Sequence, residues 1–293
     1  MARSLAAILV GIYLKKNNPH KSDEEVIKAF EQAKAEPEPE YFIPDSVKIT
    51  KSIREEKING MKTFYLNEGS ASGKTVIYLH GGAYRSNIDP SHWKLINTLC
   101  EATDAEFIVP LYPLLQYSDC LKSFDLITEL YSGIKAKEII IMGDSSGGGL
   151  ALGLEMYWAE KGLKLPDSTI VMSPWVDIRT CNPEIDKFQK KDPFLYAPTL
   201  RVCGRYWSGE LDMTDYRVSP TFGNTSVLRN VTMFVGTREI FYADITEFFE
   251  KIRGQEGCTL NVGEGMNHVY PLFPIPEAKP AIDIMIKAIG DQR

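Results

Sequence analysis

The chain reads as an α/β protein: a mostly parallel central sheet with helices on both faces and a small helical cap. Three observations predict it. From about residue 74 onward, short β-branched runs alternate with amphipathic stretches, the pattern of a parallel sheet covered on both sides. A hairpin signal at Asn59-Gly60 precedes that alternation. Between about 178 and 220 the alternation breaks, and "FLYAPTLRVCGRYWSGELD" reads as helix with no strand, an insertion fit to form a lid. At 293 residues the chain can bury one large core, or a core with a modest accessory lobe.

In chain order, "MARSLAAILVGIYLKKNNPH" carries an apolar run from Leu5 to Leu14 that is too short to span a bilayer. It is open to two readings, an uncleaved targeting segment or the first helix of an accessory lobe, and the helix is preferred. Ser22 with Glu25 makes a capping box that starts a second helix, and "PEPE" at 37–40 ends it. Residues 1–40 are therefore expected as a helical cap segment, and residues 41–293 as the main α/β domain with its cap insertion. The segment 46–67 is expected as two strands about the Asn59-Gly60 turn. Strands follow at 74–80, 106–112, 137–143, 168–174, 231–237 and 259–265. Helices are expected at 91–103, 118–134, 145–161 and about 240–254, with a final one from Glu277.

Composition narrows the function classes. A net charge of −6 argues against nucleic acid and against general adhesion to anionic lipid. Cys100, Cys120, Cys181, Cys203 and Cys258 are widely spaced and without a CxxC pair, so they are expected as separate reduced thiols. His20, His80, His92 and His268 never fall at metal-ligand spacing with cysteine or acid, and a structural zinc site is not expected.

Open α/β sheets carry their chemistry at the C-terminal ends of the strands. At one such exit stands "GDSSGGG", 143–149. It lacks the register of a dinucleotide fingerprint and the Gly-Lys-Ser/Thr end of a P-loop. It does fit G-x-S-x-G after a strand and before a helix, with glycine two positions either side of Ser145. That register selects Ser145 as nucleophile and leaves Ser146 to offer its backbone N–H. At an earlier exit, "YLHGGAY" (78–84) suits an oxyanion loop, with Gly81 and Gly82 as donors and His80 bracing the turn. After the last strand, "EGMNHVYPLF" (264–273) places His268 on a loop that can reach the serine. Chain order then puts the acid between them, at the exit of "VTMFVGT". The candidates are Glu239, three residues past Gly236, and Asp244, a turn and a half into the next helix; Glu239 is preferred. His20 and His92 are expected to be structural.

Together these motifs resemble the hormone-sensitive-lipase-like branch of the α/β-hydrolases, in particular its bacterial carboxylesterases, over about residues 40–290. HGGAY is similar to the HGGG-type oxyanion loop, with Ala83 where glycine is often found. GDSSGG resembles GDSAGG, "SPWVDI" resembles the segment after the next strand, and "GMNHVYPLF" the catalytic-histidine loop. Two segments depart from the pattern: "LYPLLQYSD" stands where the family carries tyrosine-arginine-proline-glutamate, and Glu239 where it usually carries aspartate. The resemblance implies a cofactor-free serine carboxylester hydrolase for short- to medium-chain acyl esters. Its site would comprise catalytic Ser145, Glu239 and His268, with an oxyanion hole of Gly81, Gly82 and Ser146. Amide or lactone hydrolysis by the same triad and a ligand-binding receptor are the alternatives, the latter disfavoured by the presence of His268. The expected partner is a small ester rather than nucleic acid, with no stable membrane span. A cytoplasmic location is expected, membrane association through the N-terminal run being the alternative, and a homodimer stays open. Tyr206 and Trp207 of the insertion are expected to shape the pocket.

Overall fold

The computed structural model describes residues 3–18 and 21–290; His20 lies outside the described residues. Eight strands form one sheet in the order β1-β2-β4-β3-β5-β6-β7-β8. β1 (Ile53–Ile58) and β2 (Met61–Leu66) pair antiparallel with Ile58 opposite Met61. That register leaves Asn59 and Gly60 as a two-residue loop with φ of 48° and 91°, the positive values a type I′ turn requires. Residues 46–52, expected as part of the first strand, lie outside it. The Thr50 N–H donates instead to the Asn97 side chain, at 2.9 Å.

β2 runs antiparallel to β4 (Glu106–Pro110). From β4 onward the sheet is parallel through β3 (Lys74–Leu79), β5 (Glu138–Asp144), β6 (Ser168–Met172), β7 (Val231–Gly236) and β8 (Thr259–Gly263). The chain leaves β3 toward β4 on one side and returns to β5 on the other. Such a reversal opens a crevice beyond the strand ends, and the exits of β3 and β5 carry "HGGAY" and "GDSSGGG".

Alternate side chains enter opposite layers, as the strand period of two dictates. Val76, Tyr78, Ile140 and Met142 pack with Trp93 of α3 (Pro90–Thr103) and Met285 of α9 (Ala278–Gly290). Ile77, Leu79, Ile139 and Ile141 pack on the other face, with α4 (Cys120–Gly133), α5 (Ser145–Glu160) and α8 (Tyr242–Ile252). All five cysteines are free thiols, and Cys100, Cys120 and Cys203 are buried.

Above this body, α2 (Asp23–Lys34) begins on the complete Ser22–Glu25 capping box. It packs on α7 (Ala197–Ser208) through an edge contact of Phe30 with Tyr206, and the Tyr206 hydroxyl donates to Glu31 at 3.0 Å. The short α6 (Ile185–Gln189) precedes α7 in the same insertion. α1 (Leu5–Asn17) starts on Ser4, whose N–H and hydroxyl both donate to Glu277.

One acid sits apart from all chemistry. Glu155 of α5 is buried against β6, where the Thr169 hydroxyl donates to it at 2.6 Å, and burial pushes its carboxyl up to about 8. The native state then holds a proton that the unfolded chain releases near pH 4. Stability from this group is full below that pH and is lost as pH rises toward about 8. Glu155→Gln is expected to flatten that decline. Urea midpoints of both proteins between pH 5 and 8 check it, and parallel pH slopes would refute it.

Candidate active site

The turn between β5 and α5 holds Ser145 at φ 51°, a left-handed conformation that costs a non-glycine residue about 1–3 kcal/mol. Its neighbours explain how the turn closes. A Cβ at Gly143 would stand 2.5 Å from the Gly147 carbonyl oxygen, and one at Gly147 would stand 2.0 Å from that of Leu79. Only glycine admits both approaches. The Trp175 N–H donates to the Ser145 carbonyl at 2.9 Å and pins the turn from β6.

Two further strand exits converge here. Ser145 Oγ lies 2.8 Å from His268 Nε2, and His268 Nδ1 hydrogen-bonds the Glu239 carboxylate. Glu239 folds back on its own strand exit. Its other oxygen accepts from the Gly236 N–H at 2.6 Å and from the Ser173 hydroxyl at 2.8 Å. Glu239 is fully buried, His268 nearly so, and Ser145 is 8% exposed. A carboxylate fixed on Nδ1 holds the proton there and leaves Nε2 free to accept one from the serine hydroxyl.

The other candidate acid stands elsewhere. Asp244 accepts from the Asn182 side chain at 2.8 Å and makes no bond to His268. Its carboxyl is buried against the insertion, and burial pushes it up to about 7.

The loop after β3 departs from expectation at one residue. Gly81, taken from the sequence as an oxyanion donor, gives its N–H to Asp144 Oδ1 at 2.9 Å. Its missing side chain serves that approach, since a Cβ would stand 2.2 Å from Asp144 Oδ2. The N–H groups of Gly82 and Ala83 make no such bond among the described residues. Gly82 at φ 126° and Ala83 at φ 54° turn the chain sharply there. The Ser146 N–H lies in the first turn of α5, where helix geometry leaves N–H groups unpaired and favourable to negative charge.

Asp144 is the hub of this loop, although sequence reasoning assigned it no role. Besides Gly81 it accepts from the Tyr78 hydroxyl at 2.8 Å, and His92 Nε2 lies 3.2 Å away. Burial opposes the His92 charge, but Asp144 and Asp89 outweigh it and raise the imidazolium to about 10. Burial likewise raises the Asp144 carboxyl, yet His92, Tyr78 and Gly81 hold it below its ordinary value. His80 is buried and stacks on Tyr112 at 4.5 Å. Burial lowers its imidazole to about 4, so it stays neutral, and Nδ1 lies 2.8 Å from the Gly81 carbonyl oxygen.

Two other residues positioning the site escaped the sequence reading. Ser173, just past β6 at φ 47°, bridges by donating to Glu239 and accepting the Val269 N–H at 3.0 Å. Asp192 of the insertion accepts from the N–H groups of Phe194, Leu195 and Ile240, the last at 2.9 Å and next in chain to Glu239. Ser173 lies 66 residues from Glu239 and 96 from Val269, and Asp192 lies 48 from Ile240, so no local motif announces either role.

Two aromatic rings stand beside the histidine, and a stack of others continues from one of them. Phe241 and Phe194 approach the His268 ring at 5.3 and 5.9 Å. Phe241 stacks on Trp175, Trp175 on Tyr84, and Tyr84 on Trp207 at 3.9 Å. Trp207 thus reaches inward from the insertion, whereas Tyr206 turns to α2. The arrangement brings a serine hydroxyl, an imidazole, a carboxylate and backbone N–H groups without a bond among the described residues to one place.

Comparison with known proteins agrees with that chemistry. A family described as alpha/beta hydrolase fold matches residues 76–272. An esterase of Acinetobacter venetianus is 28% identical over 242 residues, covering 80% of each chain. Among solved structures, a candidate esterase from Staphylococcus aureus superposes with a TM-score of 0.86 at 26% identity, over 93% of this chain and 95% of that one. A hormone-sensitive-lipase homologue from a metagenome library shares the fold at a TM-score of 0.78 and 21% identity, over 98% of both chains.

Proposed function

We propose that this chain, which belongs to the α/β-hydrolase fold family and is an ester hydrolase, works through Ser145, His268 and Glu239 on short- to medium-chain acyl esters. The observation that carries the assignment is the hydrogen-bonded series from Ser145 Oγ through the His268 ring to the Glu239 carboxylate.

In the forward step His268 Nε2 takes the proton of Ser145 as Oγ bonds to the ester carbonyl carbon. Charge collects on the carbonyl oxygen, which the N–H groups of Gly82, Ala83 and Ser146 receive at the mouth of α5. Glu239 stabilises the imidazolium across its Nδ1–H bond. The tetrahedral adduct then collapses, the C–O bond to the alcohol breaks, and His268 returns its proton to the departing oxygen. Water, deprotonated by His268, attacks the acyl-enzyme and releases the acid in the same two stages. Asp144, by holding Gly81, positions the Gly82-Ala83 donors. Labelling with a fluorophosphonate and peptide mass spectrometry tests the reading: the adduct is expected on Ser145. An adduct on Ser146, or none in active protein, would overturn it.

Substrate size follows from the rings beside the site. Phe194 and Phe241 stand against the His268 ring, and a stack from Phe241 through Trp175 and Tyr84 to Trp207 makes that wall rigid. Across p-nitrophenyl esters from acetate to dodecanoate, kcat/KM is expected to peak at a short or medium chain. It should fall by about tenfold or more toward the longest, the scale of pocket discrimination by size. A rate that climbs steadily to dodecanoate would refute the size limit.

A further inference from the structure

α1 is apolar on every side, and the fold uses only half of it. Ala7 and Leu14 are buried and Val10 and Gly11 half-buried, the face turned to the protein. The opposite face leaves Leu5 71%, Leu9 56%, Ile12 60% and Tyr13 66% exposed, with Ile8 at its edge. A helix apolar all round is ordinarily covered on all sides, and an outward stripe at i, i+4, i+7 and i+8 calls for a covering partner.

The charges around this stripe select that partner. Arg3 stands just before the helix, and Lys15 and Lys16 lie exposed in its last turn. Four basic residues and no acidic one precede Asp23 in a chain whose net charge is −6. The adjoining insertion loop adds Lys190 and Lys191, both exposed, and Arg238 donates to the Lys191 carbonyl at 3.0 Å. The whole-chain charge conceals this local reversal of sign. An apolar stripe rimmed by lysine and arginine matches the acyl–headgroup boundary of an anionic lipid layer.

The position of α1 gives such docking a consequence. The Arg3 side chain lies where a Cβ on Gly265 would point, on the loop that leads to His268. Gly11 faces Pro193, and the Asn18 side chain bonds the Phe194 carbonyl, Phe194 being one of the rings beside His268. α1 therefore runs along the two loops that flank the histidine. We propose that the outward face of α1 docks on an anionic phospholipid surface, holding this side of the active site against the lipid layer. The phospholipid is the surface in this proposal, not the substrate, and the docking stands apart from the assignment of the triad.

Flotation of the full chain with vesicles tests it, using phosphatidylcholine alone and phosphatidylcholine mixed with phosphatidylglycerol. Binding is expected to the mixed vesicles and to weaken on raising salt. In the double variant Leu9→Glu/Ile12→Glu it should fall by about tenfold or more, the loss that two buried aliphatic side chains imply. Both sites are exposed, so that variant should fold and still hydrolyse a soluble p-nitrophenyl ester at the wild-type rate. Lys15→Glu/Lys16→Glu should weaken binding to the mixed vesicles selectively. Failure of the wild type to float, equal binding to both vesicles, or unchanged binding by the Leu9/Ile12 variant would each overturn the proposal. So would light scattering that finds a wild-type dimer dissociated by the same variant, because the face would then be covered by a second copy of the chain.

Discussion

Ser145→Ala is expected to abolish ester turnover, with kcat lower by about five to six orders of magnitude, as for the loss of a nucleophile from serine-protease triads. The geometry explains the severity. Ser145 Oγ lies 2.8 Å from His268 Nε2, the proposed base, and the left-handed turn presents it there. Stability should change little, because Gly143, Gly147 and the Trp175 bond to the Ser145 carbonyl hold the turn without the hydroxyl. Ser146→Ala is the matched control. Its Oγ accepts from the Tyr84 N–H at 3.3 Å and hydrogen-bonds the Tyr112 side chain, while the proposed catalytic contribution comes from its backbone. Losing those bonds costs about 1 kcal/mol each, so kcat/KM should stay within about thirtyfold of wild type. Steady-state kinetics beside circular dichroism melts of both variants measure this. A Ser146→Ala enzyme as dead as Ser145→Ala would reverse the assignment.

Glu239→Gln should lower kcat by about two to four orders of magnitude, which at the upper end is about 5.5 kcal/mol of transition-state stabilisation. The amide oxygen can still accept from Gly236 and Ser173, so its NH2 is left facing His268 Nδ1. Two donors cannot share that contact. The ring must move its proton to Nε2, where it can no longer accept from Ser145, and the imidazolium loses its counter-charge. Asp244→Asn should remain within a few-fold of wild type, because Asp244 bonds Asn182 and its buried carboxyl is already inclined to be neutral. A near-normal Glu239→Gln enzyme beside a collapsed Asp244→Asn one would move the acid role to Asp244.

The order of strands and helices was legible because each element repeats its own pattern locally. The two-residue turn at Asn59-Gly60, the capping box at Ser22 and the glycine spacing about Ser145 each state a backbone demand within a few residues. Ser145, Glu239 and His268 could be nominated for the same reason, since each sits at a strand exit in the order Ser, acid, His. The pairing of those three atoms could not. It depends on β5, β7 and β8 ending at one edge of the sheet, and on Ser173 from β6 bracing Glu239.

What the sequence left undecided has the same origin. Gly81 and Gly82 look alike in sequence, yet Asp144, 63 residues on, takes the N–H of the first and leaves that of the second. Asp244 sits a turn and a half into its helix, and its partner Asn182 belongs to an insertion whose path no periodicity encodes. α1 reads as an apolar helix, and only its docking against Pro193, Gly265 and Glu277 decides which half stays uncovered. Sequence by itself determined the fold class and the residue types available for chemistry, because backbone conformation and burial period are short-range properties. Tertiary structure alone decided which N–H groups are free, which carboxylate meets the histidine and which apolar face is exposed. Those outcomes turn on hydrogen-bond partners and packing surfaces that come together only when distant strands align.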